Sequence, residues 1–267
     1  PDGDSLSYRY QWYRADDSNG TNAALISGAT SASYSLTTSD AHKYLRLAVI
    51  ADDGNSNTTT AYSAYTAITN SVPVNSVIPS VSGTATVGNA LSTTNGTWTD
   101  ADGDGRSYSY QWYRADDTNG TNAALITGAT SSSYTLTTSD AHKYLRVVVT
   151  ANDGRGGTQS AVSIYTAIIN SAPVNSAVPS VSGTATVGNA LSTTNGTWTD
   201  ADGDGRSYSY QWYRASDTNG SGLTAISGAT SSSYTLTTSD AHKYLRVVVT
   251  ANDGRGGTQS AVSTYTA

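Results

Sequence analysis

The stretch TDADGDGRSYSYQWYR, residues 99–114, joins a loop rich in aspartate and glycine to a segment that carries Tyr108, Tyr110 and Trp112. It recurs at residues 199–214, and residues 2–14 form a looser copy. Alternate side chains of an extended strand point to the same side, so the three aromatic residues share one face. The pattern predicts a core β-strand that directly follows an acidic loop.

The repeat extends well beyond this stretch. Residues 71–170 and 171–267 align without a gap, and residues 1–70 match the later part of the same unit. Self-similarity at a fixed period is the signature of tandem modules. We therefore predict three modules: residues 1–70 lack the first strands, residues 71–170 are complete, and residues 171–267 are nearly complete.

The composition indicates an all-β chain. Phe, Met, Cys and Glu are absent, so all 20 acidic residues are aspartate, which favours turns. Thr, Tyr, Val and Ser fill the segments between turns, as is typical of strands. The lack of cysteine excludes a disulfide framework and a thiolate metal site. A net charge of −6 with 14 dispersed basic residues argues against a nucleic-acid surface, and no apolar run reaches the roughly 20 residues that span a bilayer.

Turn signals divide the complete module into seven short strands. Residues 70–79 are typical of an extended connector. Residues 81–87 and 90–98 are typical of two strands that are joined by a turn at Gly88. The predicted core side of the later strands is formed by Tyr108, Tyr110, Trp112, Tyr134, Leu136, Leu145, Val147 and Val149. Short strands with a turn about every 8 to 12 residues predict a β-sandwich.

These segments resemble a known family. The run GTW, DADGD, YSYQWYR, ISGAT or ITGAT, SYTLT, SDAHKYLRVVVTA and NDGRGG is similar to the immunoglobulin-like and cadherin-like repeats of large bacterial surface adhesins, over essentially the whole chain. The resemblance implies a tandem array of seven-stranded immunoglobulin-like β-sandwiches, extracellular and at the cell surface. It also implies repeats that often depend on calcium and that extend an adhesive tip from the cell.

One corner departs from the immunoglobulin pattern. The spacing from Asp140 to Tyr144 resembles the tyrosine corner of immunoglobulin domains. However, Arg146 stands two residues after Tyr144, where an antibody domain carries its cysteine. We therefore expect Leu145 to be the core residue of this strand.

The acidic loop has the first half of a calcium-binding pattern. Asp100, Asp102, Asp104 and Gly105 satisfy D-x-D-x-D-G, in which alternate carboxylates converge on one hard cation. The twelfth position is Gln111 instead of a bidentate glutamate, and a strand follows where a helix would, so the loop is not an EF-hand. A turn of this kind can still hold a cation with further ligands.

The predicted topology supplies these ligands. In an immunoglobulin-like sandwich, the loop after the second strand and the loop after the sixth lie at the same end, which brings Asp153 to the acidic loop, beside the connector at Asn70 and Ser71. We predict an inter-module calcium site, weighed against plain solvated turns. Its metal ligands would be Asp100, Asp102, Asp104 and Asp153 at one joint, and Asp200, Asp202, Asp204 and Asp253 at the next.

Other candidate chemistry is weaker. His42, His142 and His242 recur in SDAHK without a second histidine in the module, so an exposed turn is favoured over a zinc site. Asp116 and Asp117 resemble the carboxyl pair of a glycosidase, but Ser216 replaces Asp116 in the third copy. Ser, His and Asp show no nucleophile-elbow spacing. We predict that the chain is not an enzyme.

The favoured function is therefore mechanical: structural spacer repeats of an extracellular adhesin or surface filament, stiffened by calcium at the joints. Its partners are neighbouring repeats of the same chain and, in a fibre, other copies. The alternative is a glycan- or protein-binding module, acting through the loop 116–126 and an exposed tyrosine face formed by Tyr13, Tyr113 and Tyr213 with the adjacent Arg14, Arg114 and Arg214. Lateral assembly into a multi-chain fibre is a third possibility.

Overall fold

The computed structural model describes residues 5–266, and the chain is all-β. Residues 5–70 contain β1 (Ser7–Ala15), β2 (Ala24–Leu25), β3 (Tyr44–Asp52), β4 (Thr58–Tyr62) and β5 (Thr66–Ala67). Residues 71–170 contain β6 (Val74–Val77), β7 (Val81–Gly83), β8 (Ala90–Thr93), β9 (Thr97–Thr99), β10 (Ser107–Ala115), β11 (Ala124–Leu125), β12 (Ser133–Thr135), β13 (Tyr144–Asn152), β14 (Thr158–Val162) and β15 (Thr166–Ala167). We call these segments the first and second modules.

The third module, residues 171–266, repeats the order of β6 to β14. It contains β16 (Val174–Ala177), β17 (Val181–Ser182), β18 (Ala190–Thr193), β19 (Thr197–Thr199), β20 (Ser207–Ala215), β21 (Thr224–Ala225), β22 (Ser233–Thr235), β23 (Tyr244–Asn252) and β24 (Thr258–Val262). Within residues 5–266, short 3₁₀ helices lie at Thr38–Asp40, Thr138–Asp140 and Thr238–Asp240. Asp2 and Asp4, the loop aspartates of the looser first copy, lie outside the described residues. No helix in residues 5–266 is long and apolar enough to cross a membrane.

Each complete module is built on two main sheets. In the second module, β11, β10, β13 and β14 form one sheet in that order, with β15 also paired to β13, and β12, β8 and β7 form the other. The central pair is antiparallel along nine residues, and Trp112 lies opposite Val147. Side chains from both sheets meet in one core cluster, formed by Leu91, Trp112, Ala129, Leu136, Leu145, Val147, Val149 and Ile168.

The core register confirms the predicted alternation. Leu145, Val147 and Val149 are fully buried, as is Trp112 on the neighbouring strand. Tyr108 and Tyr110 are partly buried and pack against the same cluster. Because a β-strand has a side-chain period of two, every second residue of the alternating apolar pattern reaches the core. Leu145 is thus the core residue at this corner, as expected.

The predicted strand over residues 90–98 is interrupted. Gly96 adopts a φ of 79°, and a Cβ at this position would collide with the Val77 carbonyl. The chain therefore leaves the β7–β8 sheet and pairs β9 with β6, a strand inside the predicted connector. The predicted count of seven strands is not confirmed: β6 to β15, including two-residue pairings, lie within the described second module. The module boundaries stay predictions.

The first module has only the sheet formed by β1 to β5 among the described residues. In the second module, Leu136 exchanges backbone hydrogen bonds with Gly88 and Asn89 of the β7–β8 hairpin. Among residues 5–70, no such hairpin precedes β1. Leu36 is 56% exposed, whereas Leu136 is 1% exposed.

Candidate metal site at the module joints

The acidic loop, the following turn and the connector meet at one end of each complete module. The loop 100–106 connects β9 to β10, the turn 153–157 connects β13 to β14, and Asn70 with Ser71 precedes β6. Asn70 Nδ2 donates to Asp153 Oδ2 at 2.8 Å, and the Ser71 backbone N–H donates to Asp102 Oδ2 at 2.5 Å. The predicted proximity of connector and loops is therefore observed.

The second joint repeats these contacts. Asn170 Nδ2 donates to Asp253 Oδ2 at 2.8 Å, and the Ser171 backbone N–H donates to Asp202 Oδ2. Asp202 and Asp253 are both buried. The same two loops thus hold the same connector residues at both joints.

Asp153 is held in place by its own turn and by the connector. It is 4% exposed, and the backbone N–H groups of Arg155 and Gly157 donate to Oδ1 at 2.7 and 2.9 Å. The hydrogen bond from Asn70, opposed by burial and supported by these backbone donors, lowers the pKa of Asp153. A Cβ on Gly157 would collide with this carboxylate, so the turn requires glycine there.

Two buried oxygens at each joint have no hydrogen-bond partner. Asp100 Oδ1 accepts from the Asp102 backbone N–H at 2.9 Å, but Asp100 Oδ2 and Asn70 Oδ1 are buried and unpaired. The corresponding atoms of Asp200 and Asn170 are also unpaired. An unpaired buried oxygen is costly, and a carboxylate with an amide oxygen is a donor set that hard cations prefer. Both oxygens are therefore of the type that binds calcium.

Asp104 points toward the preceding module. His42 Nε2 lies 2.9 and 3.1 Å from the two carboxylate oxygens of Asp104, and Arg155 Nε lies 3.9 Å from one of them. At the second joint, His142 Nε2 has the same distances to Asp204. Residues from two modules thus contact each other directly, 62 positions apart in sequence.

In the described part of the chain, groups of at least three candidate metal ligands within 4.8 Å of one another are His42, Asp102 and Asp104, and His142, Asp202 and Asp204. The structure thus brings together two of the four predicted aspartates at each joint. Asp100 and Asp153 lie outside the first group, although Asp153 is hydrogen-bonded to Asn70 of the connector. The expectation of exposed histidine turns is wrong for His42 and His142, which are half-buried by the next module.

Sequence reasoning missed these histidines because each module was considered separately. His42 and His142 follow a buried aspartate in SDAHK and adopt φ values of 59°. This corner lies at the opposite end of its module from the acidic loop. In a head-to-tail array, the two ends of neighbouring modules meet, so the order of the modules is the signal that identifies this contact.

The face proposed for ligand binding is more covered than expected. The Arg146 guanidinium lies 5.8 Å from the ring centre of Tyr113 and 4.8 Å from that of Tyr165. Arg114 extends instead to the buried Asp140, with Nη2 at 2.6 Å from Oδ1. In the loop 116–126, Asp117 accepts hydrogen bonds from Asn119 and Thr121 of the same loop.

No family model matches the chain, and no curated protein matches it. Among solved structures, the chain is similar to one from a 1.5-MDa bacterial ice-binding adhesin, at 15% identity and a TM-score of 0.33, covering 99% of this chain and 87% of that one. It is also similar to a tetra-tandem repeat from the extending region of a large adhesion protein, at 19% identity and a TM-score of 0.32, covering 97% and 66%.

A third similar structure is mouse cadherin-23 EC22-24, at 18% identity and a TM-score of 0.29, covering 97% of this chain and 85% of that one. These neighbours are bacterial adhesin repeats and cadherin domains, the two groups that the sequence resembles. The fold of this chain is established by its own sheets and core clusters, described above.

Proposed function

We propose that the chain is a run of extracellular spacer repeats from an adhesin or surface filament, and that calcium stiffens its joints. The observation that carries this proposal is the connector: Asn70 and Ser71 are hydrogen-bonded to the two loops that bear the aspartates. The connector is therefore part of the next module's surface. The fold resemblance and the adhesin neighbours agree with a role in extension.

The residues that would hold calcium at the first joint are Asp100, Asp102, Asp153 and Asn70. Asp100 Oδ2 and Asn70 Oδ1 are buried and unpaired, so each is available as a ligand. A bound divalent cation supplies positive charge that offsets repulsion among the carboxylates. Asn70 belongs to the connector and the aspartates to the loops, so binding would fix the joint.

Thermal unfolding of the full chain, in calcium and in chelator, tests this proposal. An ion that binds only the folded state at about 100 times its Kd adds about 2.7 kcal/mol of stability. We expect calcium to raise Tm, and Asp100→Asn with Asp200→Asn to reduce this shift. Asp117→Asn is the control, because Asp117 contacts only its own loop among the hydrogen bonds described above.

An unchanged midpoint in calcium would exclude stiffening by calcium. Small-angle X-ray scattering provides a second readout, since a flexible array has a smaller mean extension than a stiff one. We expect the maximum dimension to fall in chelator for the wild type, with a smaller change for the double variant. Equal dimensions in calcium and chelator would contradict the proposal.

A second candidate function is glycan binding by the first module. Arg46 lies 4.3 Å from the ring centre of Tyr62 and 4.7 Å from that of Tyr65, and Tyr62 is 53% exposed. Valine occupies the corresponding positions 162 and 262. A glycan array with the full chain and with Tyr62→Val tests this function. Binding that Tyr62→Val abolishes would support it, and no binding by the wild type would exclude it.

A further inference from the structure

The histidine corner of one module and the acidic loop of the next form a mixed group of metal ligands. The imidazole of His42 and the carboxylates of Asp102 and Asp104 place one potential ligand atom each within 4.8 Å of the others. His142, Asp202 and Asp204 form the same arrangement at the second joint. Each group combines ligands from two modules.

The spacing between His42 and Asp104 is close to that of two ligands on a small divalent ion. Four ligands at 2.0 to 2.2 Å from a tetrahedral zinc ion are about 3.3 to 3.6 Å from one another. His42 Nε2 is 2.9 and 3.1 Å from the Asp104 oxygens, so the two side chains need to separate by only a few tenths of an ångström. Such an ion would replace the direct histidine–aspartate contact.

The donor types distinguish this group from the calcium set. Imidazole nitrogen is a preferred ligand of zinc, copper and nickel, whereas calcium takes oxygen ligands. We propose that His42 with Asp102 and Asp104, and His142 with Asp202 and Asp204, bind a zinc-class divalent ion across each joint. Two carboxylates balance the ion's charge, and a fourth position is left for water.

The surroundings permit this binding. Ser71 N–H donates to Asp102 Oδ2, and the other oxygen, Oδ1, has a longer contact of 3.3 Å with the Ser71 hydroxyl. Arg155 is the cation beside Asp104, at 3.9 Å, and its side chain is 58% exposed. A long exposed arginine can move into solvent when an ion takes its place, so the carboxylates are available as ligands.

This proposal does not depend on calcium binding. Asp102 is common to both sets, but Asp100, Asp153 and Asn70 do not belong to the histidine group. A variant that removes only the imidazoles therefore separates the two sites. We expect such a variant to keep any stabilisation by calcium and to lose binding of zinc.

Isothermal titration of the metal-free full chain with zinc chloride tests the proposal. The test variant is His42→Asn with His142→Asn, because asparagine tolerates the positive φ of 59° at both positions. We expect two zinc ions per wild-type chain. Loss of a residue that only orients a metal ligand already weakens metal affinity about 10- to 100-fold, so loss of the imidazole should weaken it at least about tenfold.

His242→Asn is the matched control. His242 has the same SDAHK context and a φ of 60°, but it belongs to no such ligand group in residues 5–266. We expect this variant to bind zinc like the wild type. The proposal is overturned if the wild type binds no zinc, if the double variant binds it equally well, or if His242→Asn loses binding to the same extent. Circular dichroism verifies that all variants are folded.

Discussion

Asp140 accepts hydrogen bonds on both carboxylate oxygens although it is fully buried. Oδ2 accepts from the Thr137 backbone N–H at 2.8 Å and from the Tyr134 hydroxyl at 2.9 Å, and Oδ1 accepts from Arg114 Nε at 2.7 Å. This carboxylate thus joins a 3₁₀ turn, β12 and β10. The sequence shows Asp140 only as part of a corner, because its partners are 3 to 26 residues away.

We expect Asp140→Ala to lower the free energy of unfolding of the second module by about 3 kcal/mol, because it breaks a partly buried ion pair and leaves Arg114, whose side chain is 27% exposed, without its carboxylate. Hydrogen exchange of a peptide spanning residues 107–125 measures this loss, since its sequence differs from residues 207–225. The control is Asp116→Ser, which copies Ser216 and removes the exposed pair with Lys143. It should cost less than about 1 kcal/mol. Equal effects of both variants would contradict a stabilising role of the buried Asp140 carboxylate.

Because of Asp40, we expect the stability of the first module to depend on pH. Burial would raise its pKa, but hydrogen bonds from Thr37, Arg14 and Tyr34 outweigh burial and lower the pKa from its ordinary value of 3.8. A carboxylate with a lowered folded-state pKa stabilises the fold above its unfolded pKa, and this stabilisation is lost as the pH falls through the folded pKa.

The carboxyl carbon shift of Asp40, assigned by comparison with Asp40→Asn, measures this pKa in labelled protein. We expect a midpoint below 3.8 and a fall in the Tm of the first module as the pH drops through that midpoint. Asp40→Asn should show less of this acid dependence. A midpoint at or above the ordinary value would show that burial dominates.

At the scale of elements, the β7–β8 hairpin determines how much the leucine at position 136 contributes to the stability of its module. Leu136 is covered by this hairpin, whereas Leu36 is exposed. Leu136→Ala should destabilise its module by about 2 to 5 kcal/mol, the usual cost of a buried leucine. Leu36→Ala should change stability by less than about 0.5 kcal/mol.

Hydrogen exchange distinguishes these two variants, because the peptides spanning residues 7–25 and 107–125 differ in sequence. We expect Leu136→Ala to increase exchange in the second module, with exchange in the first module unchanged by Leu36→Ala. A large loss of protection in Leu36→Ala would mean that another part of the chain covers this side chain.

The predictable elements are those whose pattern is local. The alternation of Leu145, Val147 and Val149 is sufficient to predict a strand and its core side. The split of residues 90–98 is not predictable in this way, because it depends on Gly96 passing close to the Val77 carbonyl. The sequence likewise predicts a connector where β6 forms, because β6 is a strand only through its pairing with β9, in which Asn75 and Thr97 are 22 residues apart.

At the scale of the whole molecule, the candidate site was only partly predictable. The sequence and the sandwich topology identify the acidic loop, the Asp153 turn and the connector as neighbours. They do not identify His42 beside Asp104, because this contact forms only when two modules are joined. The sequence pattern of one module is sufficient to predict a site inside that module. A site at a joint also depends on how the ends of two neighbouring modules fit together.

The two joints have the same contacts, and each is formed by its own connector and loops. In a linear array, each module contacts only its neighbours, so joint energies should add. If calcium fixes the joints as proposed, Asp100→Asn should loosen the first joint and Asp200→Asn the second, with the double variant showing the sum. Negative-stain electron microscopy in calcium measures the distribution of angles at each joint. We expect each single variant to broaden one distribution and leave the other unchanged; broadening of both would show that the joints are coupled.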